Sequence, residues 1–136
     1  MKNLLKSALF PLILTGVFIF FSQKSFGQNA WNAPAKAGSV VNPIKTSPAS
    51  IAAGKSLWTR HCQSCHGKSG LGDGSKAAQL KTEPGDFTIA KFQGQSDGSI
   101  FYKTMEGRED MPSFKKKIPD PDDIWNLVNF IRTLKK

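Results

Sequence analysis

Two cysteines three positions apart, followed at once by a histidine, constrain this chain more than any other feature: Cys62-Gln63-Ser64-Cys65-His66. They are its only cysteines, too few for a multi-disulfide scaffold. The spacing sets two thiols one turn apart, the separation that thioether bonds to two haem vinyl groups require. The imidazole of His66 then reaches the iron from the same segment. Three other uses of the motif compete. A Cys62–Cys65 disulfide is one; a thioredoxin-like redox pair is another, but it wants a βαβ context that the pattern lacks. Zinc needs four ligands, and His61, directly beside Cys62, closes such a site awkwardly. The motif therefore predicts one covalent haem c, with Cys62 and Cys65 as its attachment points and His66 on the iron.

A second iron ligand must come from elsewhere. With Met1 in the leader, Met105 and Met111 are the methionines that remain. A thioether favours reduced iron and raises its potential, being soft and uncharged. Met105 falls in a helical segment, where filling the core is the commoner role. Met111 falls in a loop ahead of Pro112, which restricts the backbone before it. The residues favour Met111 and leave Met105 as the alternative. Iron closed on both faces has no vacancy for a small-molecule substrate, and no nucleophile motif, phosphate-binding loop or second haem motif is present. The expectation is electron transfer rather than catalysis.

The chain begins as an exported one. Lys2 and Lys6 precede an apolar run from Ala8 to Phe21, and Ser25-Phe26-Gly27 supplies small residues before Gln28. This reads as a signal peptide over residues 1–27, shorter in its apolar part than the roughly 20 residues that span a bilayer. Retention as a membrane anchor is the alternative. Cleavage removes three lysines and no acid, lowering the formal charge from +9 to +6. That balance suits docking on acidic protein surfaces. Nucleic acid is not an expected partner, since no aromatic-basic interleaving or recognised motif supports it.

At 136 residues there is room for one small domain. Residues 28–46, with Pro34 and Pro43, read as an extended arm, in which Trp31 is expected to pack locally. Residues 47–136 form the domain. Ser47-Pro48 caps a helix to about Arg60, with Ile51, Gly54, Leu57 and Trp58 on one face. An isolated glycine costs a helix about 1 kcal/mol, so Gly54 suggests a close helix crossing. Ser96 caps a short helix from about Asp97 to Met105, and Gly107 ends it. A last helix starts at Pro121 or Asp122 and places Ile124, Leu127, Val128 and Ile131 on one side. No strand pattern is persuasive. The prediction is an all-α fold of three main helices whose long loops need a cofactor to fold against.

From residue 47 to about 135 the chain resembles the small class I, monohaem c-type cytochromes. Gly54 and Trp58 match their G-x-x-x-aromatic signature before the haem motif, and Leu127 and Phe130 match the aliphatic-aromatic pair of their last helix. G-L-G-D-G (70–74) and G-R-E-D-M-P-S-F (107–114) resemble family loops, and the second implies that Met111 is the distal haem ligand. Ser75 stands where relatives often have proline, near the carbonyl that accepts the proximal histidine's proton. The acceptor for His66 is therefore left open. The resemblance implies a periplasmic carrier exchanging electrons with redox proteins, many of them membrane complexes. It implies as an alternative a permanently assembled haem c subunit of a larger membrane oxidoreductase. A haem enzyme or small-ligand sensor would require Met111 to be absent from the iron or easily displaced.

Overall fold

The computed structural model describes residues 31–136, so the signal-peptide region 1–27 and residues 28–30 of the arm lie outside the described residues. In chain order the helices are α1 (Ala35–Gly38), α2 (Pro48–His61), α3 (Gln63–His66), a 3-10 turn at Ala77–Gln79, α4 (Ala90–Gln93), α5 (Asp97–Glu106) and α6 (Pro121–Arg132). Among the described residues there is no strand, only the isolated bridge between Arg108 and Met111. None of these helices is long and apolar enough to cross a membrane.

The three main helices begin where their caps place them. Ser47 Oγ accepts from the Ser50 amide at 3.1 Å, and Ser50 Oγ returns the bond to the Ser47 amide at 3.0 Å. Ser96 Oγ takes the Ser99 amide at 3.2 Å, and Asp120 Oδ1 takes that of Asp122 at 2.9 Å. Each satisfies an amide that the first helical turn leaves unpaired. Pro121 then occupies the first helical position, where its missing N–H is no loss.

α2 and α6 cross at the expected glycine. A Cβ built on Gly54 would lie 2.1 Å from the Asn126 carbonyl oxygen, so the two backbones are in contact there. Around the crossing Trp58, Ile124, Leu127 and Val128 are fully buried. Burial of one such side chain stabilises by about 1.5–3 kcal/mol, which makes this crossing the centre of the core. The tail of α6 is tied to the α4–α5 corner through Arg132. Its guanidinium pairs with Asp97 at 2.7 Å and donates to the carbonyls of Gln93 and Gln95 at 2.8 and 2.5 Å.

The described part of the arm lies on the domain instead of standing off it, and Trp31–Lys136 is one compact unit. The reason is a buried polar hub that periodicity does not reveal. Asn129, on the apolar side of α6, accepts from Asn42 Nδ2 at 3.0 Å and Thr46 Oγ1 at 3.2 Å. Its own amide donates to the Ile44 carbonyl at 3.1 Å and to Ser50 Oγ at 3.2 Å. Asn129→Leu is expected to destabilise the protein by about 2–3 kcal/mol, because it strands these donors and acceptors. A lower denaturant midpoint, with faster proteolysis of residues 31–46, is the result to look for. An unchanged midpoint would show that the hub is dispensable.

Candidate haem-binding site

The motif sits where α2 hands over to the single turn of α3. Cys62 ends α2, donating to the Trp58 carbonyl at 2.9 Å, and its own carbonyl then receives the amides of Cys65 at 3.1 Å and His66 at 2.9 Å. The glycine loop folds back over this turn. Gly72 N, Gly74 N and Lys76 N donate to the carbonyls of His66, Cys65 and Ser64 at 2.9, 3.2 and 2.8 Å. A side chain at Gly74 would meet the Ser64 oxygen at 2.4 Å, so only glycine fits there. The long loop thus has a protein partner as well: it satisfies the backbone of the motif itself.

Aromatic rings fix the imidazole. His66 lies 4.5 Å from the ring of Phe87 and 5.8 Å from that of Trp58, centroid to centroid. Trp58 is itself anchored by Nε1, which donates to the Gly67 carbonyl at 3.0 Å. Burial pushes the His66 pKa down to about 4, against the opposing effect of the Pro84 carbonyl beside the ring. The imidazole is consequently neutral at physiological pH, the state in which a ring nitrogen binds a metal. Burial, followed by the nearby Cys65, pushes the Cys62 thiol up to about 12. That thiol stays protonated at neutral pH.

Both cysteines, His66 and Met111 line one cleft. Leu80, Pro84, Pro112 and Phe114 make much of its wall apolar. Met111 is half-buried at the end of a tight turn, with Arg108 N donating to Met111 O at 2.8 Å and Met111 N to Arg108 O at 2.9 Å. Met105 is not among the residues of this cleft; it packs on the core and lines a separate cavity with Phe101 and Val40. The structure therefore brings together the four residues singled out from sequence and separates the alternative methionine from them.

The residues fit a covalent haem. Two unjoined thiols open on an apolar cleft beside a neutral imidazole, whose Nδ1 is buried without a hydrogen-bond partner. Zinc fits less well: among the described residues no group of three or more His, Cys, Asp or Glu converges. Residues 49–131 match the family described as cytochrome c oxidase, cbb3-type, subunit III. The chain belongs to this family of c-type cytochrome domains. As a monohaem class I cytochrome it carries covalent haem c, with its iron, and serves electron transfer.

Solved structures agree. The KustC0563 c-type cytochrome is 32% identical, with a TM-score of 0.54, over 61% of this cytochrome and 98% of its own chain. The Kuenenia stuttgartiensis reducing HAO-like protein complex Kustc0457/Kustc0458 is 30% identical, with a TM-score of 0.63, over 69% of this chain. The cytochrome spans only 47% of the matched chain in that complex. Cytochrome CL from the marine methylotrophic bacterium Methylophaga aminisulfidivorans, at 21% identity and a TM-score of 0.52, shares the fold over 66% of this chain and 56% of its own. No curated protein matches.

Two residues at the cleft carry roles that spacing along the chain does not predict. Pro84 places its carbonyl beside His66, 18 positions along the chain. The glycine after it is the one signal of this, since it marks a turn in the loop that returns over the motif. Trp31 reaches the cleft from the arm and lies under two cations, with Arg108 5.2 Å and Lys103 5.7 Å from its ring centroid. A lone aromatic near a terminus carries no periodic signal.

Proposed function

We propose that this cytochrome is a one-electron carrier of the periplasm, exported by cleavage after Gly27, with residues 47–136 as its haem domain. Cys62 and Cys65 would hold the haem covalently, and His66 and Met111 would bind its iron. The observation that carries this reading is the shared cleft: a proximal histidine and a methionine from separate segments line one apolar space. When bound, the haem would supply a one-electron redox couple. The chain's own residues do the rest. Trp58 and Phe87 hold the His66 ring, the 70–76 loop fixes the turn beneath it, and the 108–111 turn presents Met111. With His66 and Met111 both binding the iron, no position there would be open to a substrate, so the protein is read as a carrier and not an enzyme.

Donors and acceptors are periplasmic redox proteins with acidic docking faces, membrane complexes among them. Lys68, Lys76, Lys116 and Lys117 are exposed and supply the complementary charge. Lys115 is already paired with Glu106 at 2.6 Å and contributes less. A second reading, a haem c subunit held permanently in a larger oxidoreductase, draws support from the oxidase-subunit family and from the likeness to part of a longer chain in a complex. Co-purification in fixed stoichiometry would favour it over the free carrier.

The ferric absorption spectrum tests the ligand set. The matured protein is expected to show the weak long-wavelength charge-transfer band of an iron–methionine sulfur bond, and its reduced form to bind carbon monoxide poorly. A missing band with rapid carbon monoxide binding would replace the carrier by a ligand-binding haem protein.

A further inference from the structure

Two consecutive acidic residues precede Met111, and both reach across the cleft to the same short stretch of chain. Asp110 Oδ2 accepts from the amides of Lys81 at 2.8 Å and Thr82 at 3.0 Å. Glu109 Oε2 accepts from the Thr82 hydroxyl at 2.6 Å. Glu109 does so with φ at 53°, and it alone among the described non-glycine residues has a positive φ. Side-chain-bearing residues rarely adopt that left-handed conformation without surrounding interactions that hold it. The stretch they grip continues into Pro84, whose carbonyl lies beside His66. Leu80, Thr82, Glu83 and Pro84 line one part of the cleft, and Arg108 to Pro112 line another. The acidic pair therefore spans the two walls that carry the histidine and methionine sides of the site.

We propose that Asp110 and Glu109 latch the Met111 turn to the Lys81–Thr82 backbone, and so act as positioning residues that keep an external ligand from displacing Met111. The latch rests on the assignment of Met111 as an axial ligand. Its strength comes from hydrogen-bond geometry rather than from charge, since one carboxylate oxygen serves both amides. An amide oxygen in the same place makes the same two bonds. The latch lies at the exposed rim, so its effect is moderate.

The test uses the mature haem-loaded protein and imidazole as the probe. Asp110→Ala is expected to tighten imidazole binding to the ferric protein about tenfold, a change equivalent to 1.4 kcal/mol. It should also speed hydrogen exchange at the Lys81 and Thr82 amides. Asp110→Asn is expected to stay close to the native protein in both. Thr82→Val, which removes the Glu109 contact alone, should tighten binding about threefold, the effect of one partly exposed hydrogen bond. It keeps the test open if Asp110→Ala yields no folded protein. Unchanged imidazole affinity in Asp110→Ala or in Thr82→Val, with the native charge-transfer band present, overturns the latch and leaves the axial assignment intact. Asp110→Asn behaving like Asp110→Ala overturns the hydrogen-bond account. A band missing from the native protein, seen before any substitution, removes the axial assignment and the latch with it.

Discussion

Gly54→Ala is expected to weaken the fold sharply, although alanine is the better helix former. The propensity gain is about 1 kcal/mol. Against it stands the added methyl at 2.1 Å from the Asn126 carbonyl oxygen, 2.7 Å from its carbon and 2.8 Å from Phe130 Cβ. None of these atoms belongs to a flexible side-chain end that can swing aside. α2 and α6 must separate, and the packing of Trp58, Leu127 and Val128 opens with them. Overpacking a tight core costs about 1–3 kcal/mol and occasionally more, and backbone against backbone belongs at the upper end. The total stability of a domain is only about 5–15 kcal/mol. The substitution should therefore lower the denaturant midpoint sharply and cut the yield of matured haem protein. Trp58 connects this crossing to the site, because its ring lies on His66 and its Nε1 is fixed on Gly67. A variant as stable as the native chain would mean that the helices part at little cost.

The crossing is legible in sequence because its signals are local. Ser47, Ser96 and Pro121 mark helix starts by chemistry that acts over three or four residues, and the observed helices begin there. A glycine on an apolar helix face likewise points to a second backbone close against it. The four-residue helices α1, α3 and α4 leave no comparable trace, since a single turn has no periodicity and forms where neighbours allow it. The docking of the arm is hidden for a related reason. Pro34 and Pro43 describe an extended chain, but only the fold brings Asn42, Ile44 and Thr46 to Asn129, more than 80 positions away.

At the site the same division holds. Cys62, Cys65 and His66 are contiguous, so one segment specifies their geometry, and the loop ahead of Pro112 is enough to favour Met111 over Met105. Trp31, Phe87 and Asp110 enter through long-range packing and hydrogen bonds that spacing does not encode. Pro84 illustrates why. With Ser75 in place of the proline that the resemblance leads one to expect, position along the chain does not reveal which backbone lies beside the His66 ring, and the structure brings Pro84 there from farther on.

Met111→Ala should have the second large effect, on the chemistry rather than the fold. Met111 is half-buried and its turn is held by backbone bonds through Arg108, so truncation leaves the turn in place. On the proposed ligand set, what disappears is the thioether on the iron, and with it the preference for reduced iron that a soft, uncharged ligand confers. The reduction potential should fall by a substantial part of the roughly 0.8 V range that axial ligands span. The charge-transfer band should vanish, and carbon monoxide should bind the reduced protein rapidly. Met105→Ala supplies the contrast. Its half-buried side chain packs against the core near Phe101, so its loss should lower stability by about 1–2 kcal/mol, below the range for a fully buried methionine, while the band and potential persist. Spectra and potentiometry on the two variants separate a ligand from a packing residue. Loss of the band in Met105→Ala, with Met111→Ala spectrally native, would reverse the assignment and turn the 108–111 loop into a wall of the cleft.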